Sequence, residues 1–219
     1  MSLTFVDVNG LGGFMSLGFV REGFEMVGRT GTLDFGNKAA EANRHLLGDG
    51  WQSLFSNKPD EWPLHGKVDV VAGCPPCSGW SCWSGNQNRG PEARAHDHTW
   101  AFIHYAARVK PAAVVFESVQ QAYTQGADMM RGYRDALEQE SGVSYDLHHV
   151  KMNNLMIGGS SYRPRYFWVA VKKGMPFGVE AQWPGDGAKL PTIMDMIGDL
   201  AETTQAWGMQ AYQRPLSDK

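Results

Sequence analysis

Short apolar runs rich in β-branched residues alternate along the chain with segments whose apolar positions recur at helical spacing. Leu3 to Val8 is the first run, and a glycine cluster follows it at once. Residues 14–22 then predict a helix, and Phe24 to Val27 a second strand. From Gly36 to Leu47, the apolar Ala39, Ala42, Leu46 and Leu47 lie at helical spacing and predict another helix. Val68 to Ala72 predicts a strand that opens into a long loop over 73–91, rich in Gly, Ser, Pro, Trp and Asn. A helix over about 93–109, a strand over Ala112–Phe116 and a helix over 127–139 follow. Strands over Tyr145–Lys151 and Arg165–Val171 complete the regular pattern.

Strands alternating with helices define an α/β chain, a three-layer sandwich with a mostly parallel central sheet. In such sheets ligands sit outside the carboxyl ends of the strands. Three clusters stand at such ends: residues 9–13, 73–81 and 117–119. Near residue 174 the sequence turns irregular. The expectation is a compact domain over 1–172 and an irregular C-terminal extension over 173–219.

Composition narrows the setting. A chain of 219 residues with 42% hydrophobic content can bury one sizeable core. No apolar run approaches the roughly 18 residues of a membrane span, and the N-terminus lacks the basic-then-apolar pattern of a secretory signal. Cys74, Cys77 and Cys82 are odd in number and crowded together, which suits a reducing, cytoplasmic setting better than a disulfide framework. The net charge of −3 argues against a strong grip on a phosphate backbone by this chain alone.

Two stretches carry candidate chemistry. Asn9-Gly-Leu-Gly-Gly13 offers a tight turn where backbone can approach a ligand closely. Asp34 lies 22 residues beyond Gly12, a separation suited to holding ribose hydroxyls. The same residues also read as a plain connecting turn and a helix cap. Gly73-Cys-Pro-Pro-Cys-Ser-Gly-Trp-Ser81 is more informative, because two prolines stiffen a turn placed directly after a strand. Cys74 and Cys77 could form a redox pair, yet no helix opens at them. The three cysteines could hold zinc, yet a fourth ligand at standard spacing is missing. The third reading is one nucleophilic cysteine held at a strand end; such a thiol needs help to ionise near neutral pH.

The strand-then-Pro-Pro-Cys-x-Gly-x-Ser loop resembles the catalytic loop of the DNA cytosine-5 methyltransferases of bacterial or phage type, and other motifs of that family follow in order. Asn9–Gly13 resembles the adenosylmethionine loop. Phe116-Glu-Ser-Val119 resembles the Glu-Asn-Val motif, with Ser118 in place of Asn. Tyr162-Arg-Pro-Arg-Tyr-Phe-Trp-Val169 resembles the Gln-x-Arg-x-Arg motif and its strand, with Ser161 where Gln is usual. Thr192 to Leu200 resembles the segment after it.

The resemblance implies a Rossmann-like fold dependent on S-adenosyl-L-methionine, with Val8, Asn9, Gly10, Gly12, Gly13, Asp34 and Pro76 at the cofactor. It implies Cys77 as covalent nucleophile on a cytosine flipped from DNA. Glu117 would hydrogen-bond the base, Arg165 would contact its O2, and Arg163 would support the loop. Ser78, Gly79, Ser81 and Arg89 are expected at nucleic acid, where Trp80 and Trp83 could also stack or else pack inside. No metal is implied. Family members continue into a target-recognition region with no counterpart here, so readout is expected from a second chain or a missing segment. Three alternatives stay open: cytosine in tRNA as substrate, a non-catalytic subunit of the same fold, and a cysteine-based metal or redox module.

Overall fold

Strand β1 (Thr4–Val8) shows how the sheet is built. Phe5 faces one apolar cluster, and Val6 and Val8 face another. A strand covered on both sides must be central. In the computed structural model, which describes residues 2–34, 36–48, 50–81, 85 and 89–178, β1 pairs in parallel with β2 (Glu25–Gly31) and β4 (Val70–Gly73). The sheet has seven strands in the order β3-β2-β1-β4-β5-β7-β6. β3 (Gln52–Phe55) extends it in parallel beyond β2, and β5 (Ala113–Ser118) beyond β4. β7 (Pro164–Lys172) runs antiparallel to β5, and β6 (Tyr145–Asn153) forms the edge. The expected layered α/β architecture is what forms.

Helices α1 (Phe14–Arg21), α2 (Asn37–Ala42) and α3 (Arg44–Leu47) follow β1 and β2. Phe5, Met26, Ala40, Leu47 and Trp51 form one cluster, and Leu17, Phe19 and Val20 of α1 pack against it. Helices α4 (His96–Val109), α5 (Gln120–Thr124) and α6 (Ala127–Ser141) follow β4 and β5. Phe102, Tyr105, Phe116, Tyr133, Leu137 and Trp168 lie in the second cluster. No helix among the described residues is long and apolar enough to cross a membrane.

The structure departs from the sequence reading in four places. The helix expected over 36–47 breaks at Asn43, whose side-chain amide donates to the Ala39 carbonyl at 2.9 Å and competes with the helical ladder. β2 runs on to Gly31 through Arg29 and Thr30, polar residues that are fully buried. β3 was missed because three of its four residues are exposed. The helix expected from about 93 begins at His96. The described chain falls into two compact units, the first Met1–Lys151 with Arg165–Gly178, and the second including Met152–Pro164.

Beneath the loop at 9–13 lies a buried ion pair. Arg29 Nε donates to Asp7 Oδ2 at 3.1 Å, with both side chains almost wholly enclosed. The other two guanidinium nitrogens donate to Asn37 Oδ1 at 2.6 Å and to the Leu11 carbonyl at 2.7 Å. Burial pushes the Asp7 carboxyl above its usual range, opposed by the Arg29 charge. Removing one partner strands the other in a dry site. Arg29→Ala is therefore expected to destabilise the fold by about 3–5 kcal/mol, read by chemical denaturation; a loss under about 1 kcal/mol would show that the pair contributes little.

Candidate active site

The first β-strand ends in a turn whose backbone is tightly constrained. Asn9 and Leu11 adopt positive φ angles of 54° and 51°, and the Gly13 amide donates to the Gly10 carbonyl at 2.9 Å. Gly10 lies over the Asp7 carboxylate so closely that a Cβ would stand 1.7 Å from Oδ1. The Asn9 side chain accepts from the Leu33 amide at 3.2 Å and so ties this turn to the end of β2. Its amide nitrogen, Nδ2, is buried and has no partner among the described residues. A buried donor of that kind is costly unless something completes it.

Beside this turn, at the carboxyl ends of β2 and β3, an open cavity of about 180 Å³ is lined by Thr32, Asp34, Phe55, Ser56 and Asn57. Asp34 is exposed there. The cap of α2 is Gly36, with no side-chain capping bond, so Asp34 is not the side-chain cap of α2. An aromatic ring, a free carboxylate and several small polar groups suit a nucleoside-like ligand. Phe55, Ser56 and Asn57 were missed because the strand leading to them shows no apolar alternation.

The remaining expected cofactor residues divide. The Val8 side chain is wholly inside the core and supports the turn from below. Gly10 is likewise buried against Asp7. Gly12 and Gly13 line a separate, mainly apolar cleft with Phe14, Leu17 and Leu47. Pro76 lines the cavity of Cys77 and not the one beside Asp34.

That second cavity is a narrow cleft of about 10 Å³, room for about one water molecule, at the ends of β4 and β5. Cys77, Glu117, Trp80, His96 and Pro76 contribute to its wall. The close passage of β4 against β1 admits no side chain at Gly73, where a Cβ would be 2.0 Å from the Val8 carbonyl oxygen. Cys77 then opens a turn in which the Trp80 and Ser81 amides donate to its carbonyl at 3.0 and 3.1 Å. Glu117, at the end of β5, forms an ion pair with Arg165, both side chains about three-quarters enclosed. Glu117 faces Phe167 in the β5–β7 register, which puts Arg165 at the diagonal position. Cys77, Glu117 and Arg165 are thus gathered at one edge of the sheet.

Other expected residues lie around this core or apart from it. Trp80 is buried, packs in a tilted arrangement on His96 at 4.8 Å between ring centroids, and belongs to the apolar core. Gly79 is also buried, against the His96 ring. Ser78 and Arg89 are exposed, and Ser81 is half-buried. Arg163 belongs to the second unit and is exposed; its amide donates to Asn153 Oδ1 at 3.1 Å. Ser161, in the same unit, accepts from Asn154 Nδ2 at 3.0 Å. Cys82, Trp83 and the segment 192–200 lie outside the described residues.

A parallel sheet completed by one antiparallel strand, with cavities at its carboxyl edge, is the Rossmann-like methyltransferase arrangement. The chain belongs to the C-5 cytosine-specific DNA methylase family, whose model matches residues 4–214. It is 28% identical over 179 residues to the type II methyltransferase M1.HphI of Haemophilus parahaemolyticus, covering 80% of this chain and 47% of the relative. The chain thus spans about half the length of the curated relative it matches. Among solved structures it resembles one described as a DNA modification methyltransferase encoded within an E. coli prophage (TM-score 0.65, 20% identity, 90% of this chain, 54% of the other). It also resembles the S. pombe Dnmt2 methyltransferase (TM-score 0.61, 14% identity, 95% and 67%).

The two described cysteines differ in environment. Burial pushes the Cys74 thiol far above its ordinary range, and the negative charges of Glu117, Asp7 and Cys77 add to the effect. Cys74 therefore stays a neutral thiol near neutral pH. Iodoacetamide treatment of the folded protein, followed by peptide mapping, is expected to leave Cys74 unmodified until the chain is unfolded; labelling of the native protein there would contradict this assignment.

Proposed function

We propose that this chain transfers a methyl group from S-adenosyl-L-methionine to C5 of cytosine in DNA through a covalent bond to Cys77. The observation that carries the reading is the convergence of Cys77 and Glu117 on one cavity, with Arg165 paired to Glu117. Family membership supports both the reaction and the methyl donor. The donor supplies an electrophilic methyl group when bound. Asp34, with Phe55 and the polar groups at the end of β3, is suited to hold its nucleoside part, and the buried Asn9 amide is placed beside them.

The chemistry requires each residue type. Cytosine C5 is a weak nucleophile. When the Cys77 thiolate adds to C6, the ring becomes an enamine whose C5 can take the methyl group. Glu117 delivers a proton to N3 and accepts from the exocyclic amine, neutralising the charge that develops as sulfur adds and leaving a carboxylate. Arg165 holds that carboxylate in place and presents its cation near the base O2. After transfer, the C5 proton is lost to a base, the C6–S bond breaks, and the thiolate returns to Cys77. The base must leave the helical stack to reach such a recessed thiol.

Target-sequence readout would come from a second chain or from a segment beyond the described residues. Arg163, exposed in the second unit, and Ser78, Ser81 and Arg89, on the nucleophile loop, are the proposed contacts toward nucleic acid. Residues 1–172 would carry the chemistry.

Duplex DNA containing 5-fluorocytosine tests the mechanism, because fluorine at C5 cannot leave as a proton does and the adduct persists. The protein with methyl donor is expected to form a denaturation-stable adduct that Cys77→Ala abolishes. Glu117→Gln should slow its formation by about a hundredfold or more. An adduct that survives Cys77→Ala would remove Cys77 from the role, and labelling of tRNA in place of DNA would move the substrate to RNA.

A further inference from the structure

The first turn of α4 touches both halves of the site. His96 and His98 are two residues apart and project in different directions. His96 faces the nucleophile loop: its Nε2 lies 2.9 Å from the Gly90 carbonyl oxygen, and its ring packs at a tilt against Trp80. The same ring leaves no room at Gly79, where a Cβ would fall 2.6 Å from Cε1. The Gly90 amide in turn donates to the Gly79 carbonyl at 2.9 Å, closing the base of the loop.

His98 faces the other cavity. Its Nδ1 lies 2.6 Å from Thr32 Oγ1, and Thr32 is one of the residues that line the space beside Asp34. The Thr32 hydroxyl is also 3.4 Å from Asn9 Oδ1, the atom that accepts from the Leu33 amide. A hydroxyl has one proton. Given to Asn9 Oδ1, it leaves Oγ1 to accept from His98, a neutral imidazole with its proton on Nδ1. Partial burial lowers the His98 pKa, against a smaller raising effect of Asp97, and so favours that neutral form. The chain His98–Thr32–Asn9 therefore links α4 to the ends of β2 and β1, and it ends on Oδ1 of the Asn9 side chain, whose buried Nδ2 has no partner among the described residues.

We propose that His98 is a positioning residue for the methyl donor: through Thr32 it fixes the wall of the nucleoside cavity, and through the turn it shares with His96 it sets that wall relative to the loop bearing Cys77. The proposal rests on the reading of the cavity beside Asp34 as the donor site. Its consequence is specific. His98 governs how well the donor is held, whereas His96 governs how the nucleophile is presented. Neither residue touches the transferred methyl group in this scheme.

Isothermal calorimetry with S-adenosyl-L-methionine tests it, alongside melting temperatures without ligand and initial rates on cytosine-containing DNA. His98→Ala should weaken donor binding by about fivefold or more, the worth of one buried hydrogen bond. The same variant should raise KM for the donor far more than it lowers kcat. His98→Asn, whose amide can occupy the Nδ1 position, should recover most of the affinity. His96→Ala should slow adduct formation and leave the donor affinity within about twofold. Absence of binding by the unsubstituted chain would overturn the donor-site reading and this inference with it. Normal wild-type binding that His98→Ala leaves unchanged would overturn the inference alone. Equal weakening by both variants would place the effect on the helix turn as a whole and remove the special role of His98.

Discussion

A guanidinium enclosed beneath the first loop is the constraint around which the half of this protein built on β1 and β2 is arranged. Arg29 meets Asp7 from β1, Asn37 from α2 and the Leu11 carbonyl from the glycine-rich turn. Three separate pieces of chain are thereby fixed to one planar cation, whose geometry is stiffer than that of a lysine ammonium. The rings of Trp51 and Phe55 lie 5.5 and 5.9 Å from its central carbon. Phe55 also lines the cavity beside Asp34, so the cation that shapes the turn backs the cavity wall as well. Charges in so dry a place add little net stability, but each needs the other. Their value is in specifying one arrangement of the loop.

The sheet distributes the work along its edge. β1, β2 and β3 end around the open cavity, while β4 and β5 end around the narrower one that holds Cys77 and Glu117. The first turn of α4 contacts both. On the proposed function, the half beside Asp34 would hold a methyl donor and the half beside Cys77 would activate an acceptor.

Much of this was legible in the sequence, and the exceptions have physical causes. The pattern of short apolar runs revealed β1, β4 and β5 because both faces of a central strand are buried. It failed at β3, where exposed positions dilute the signal, and so Phe55, Ser56 and Asn57 went unseen. It shortened β2, because Arg29 and Thr30 look like loop residues until their buried partners are known. The Pro-Pro-Cys loop singled out Cys77 only through its resemblance to the family's catalytic loop; the residues alone left a redox pair and a zinc site open. The same motif could not show that Val8 points into the core, nor that Pro76 belongs with the thiol. The hydrogen bonds of His96 and His98 were invisible for another reason: they depend on contacts across distant segments, which no local pattern encodes.

The direction of β7 has an effect of its own. Since it runs against β5, its beginning and the finish of β5 meet at one border of the sheet, so Glu117 and Arg165 become neighbours despite the long stretch of chain dividing them. Everything threaded between, including α6 and the edge strand, leaves this border and returns to it. That excursion could lengthen, shorten or acquire new surface during evolution while the acid–base partnership stayed where it is.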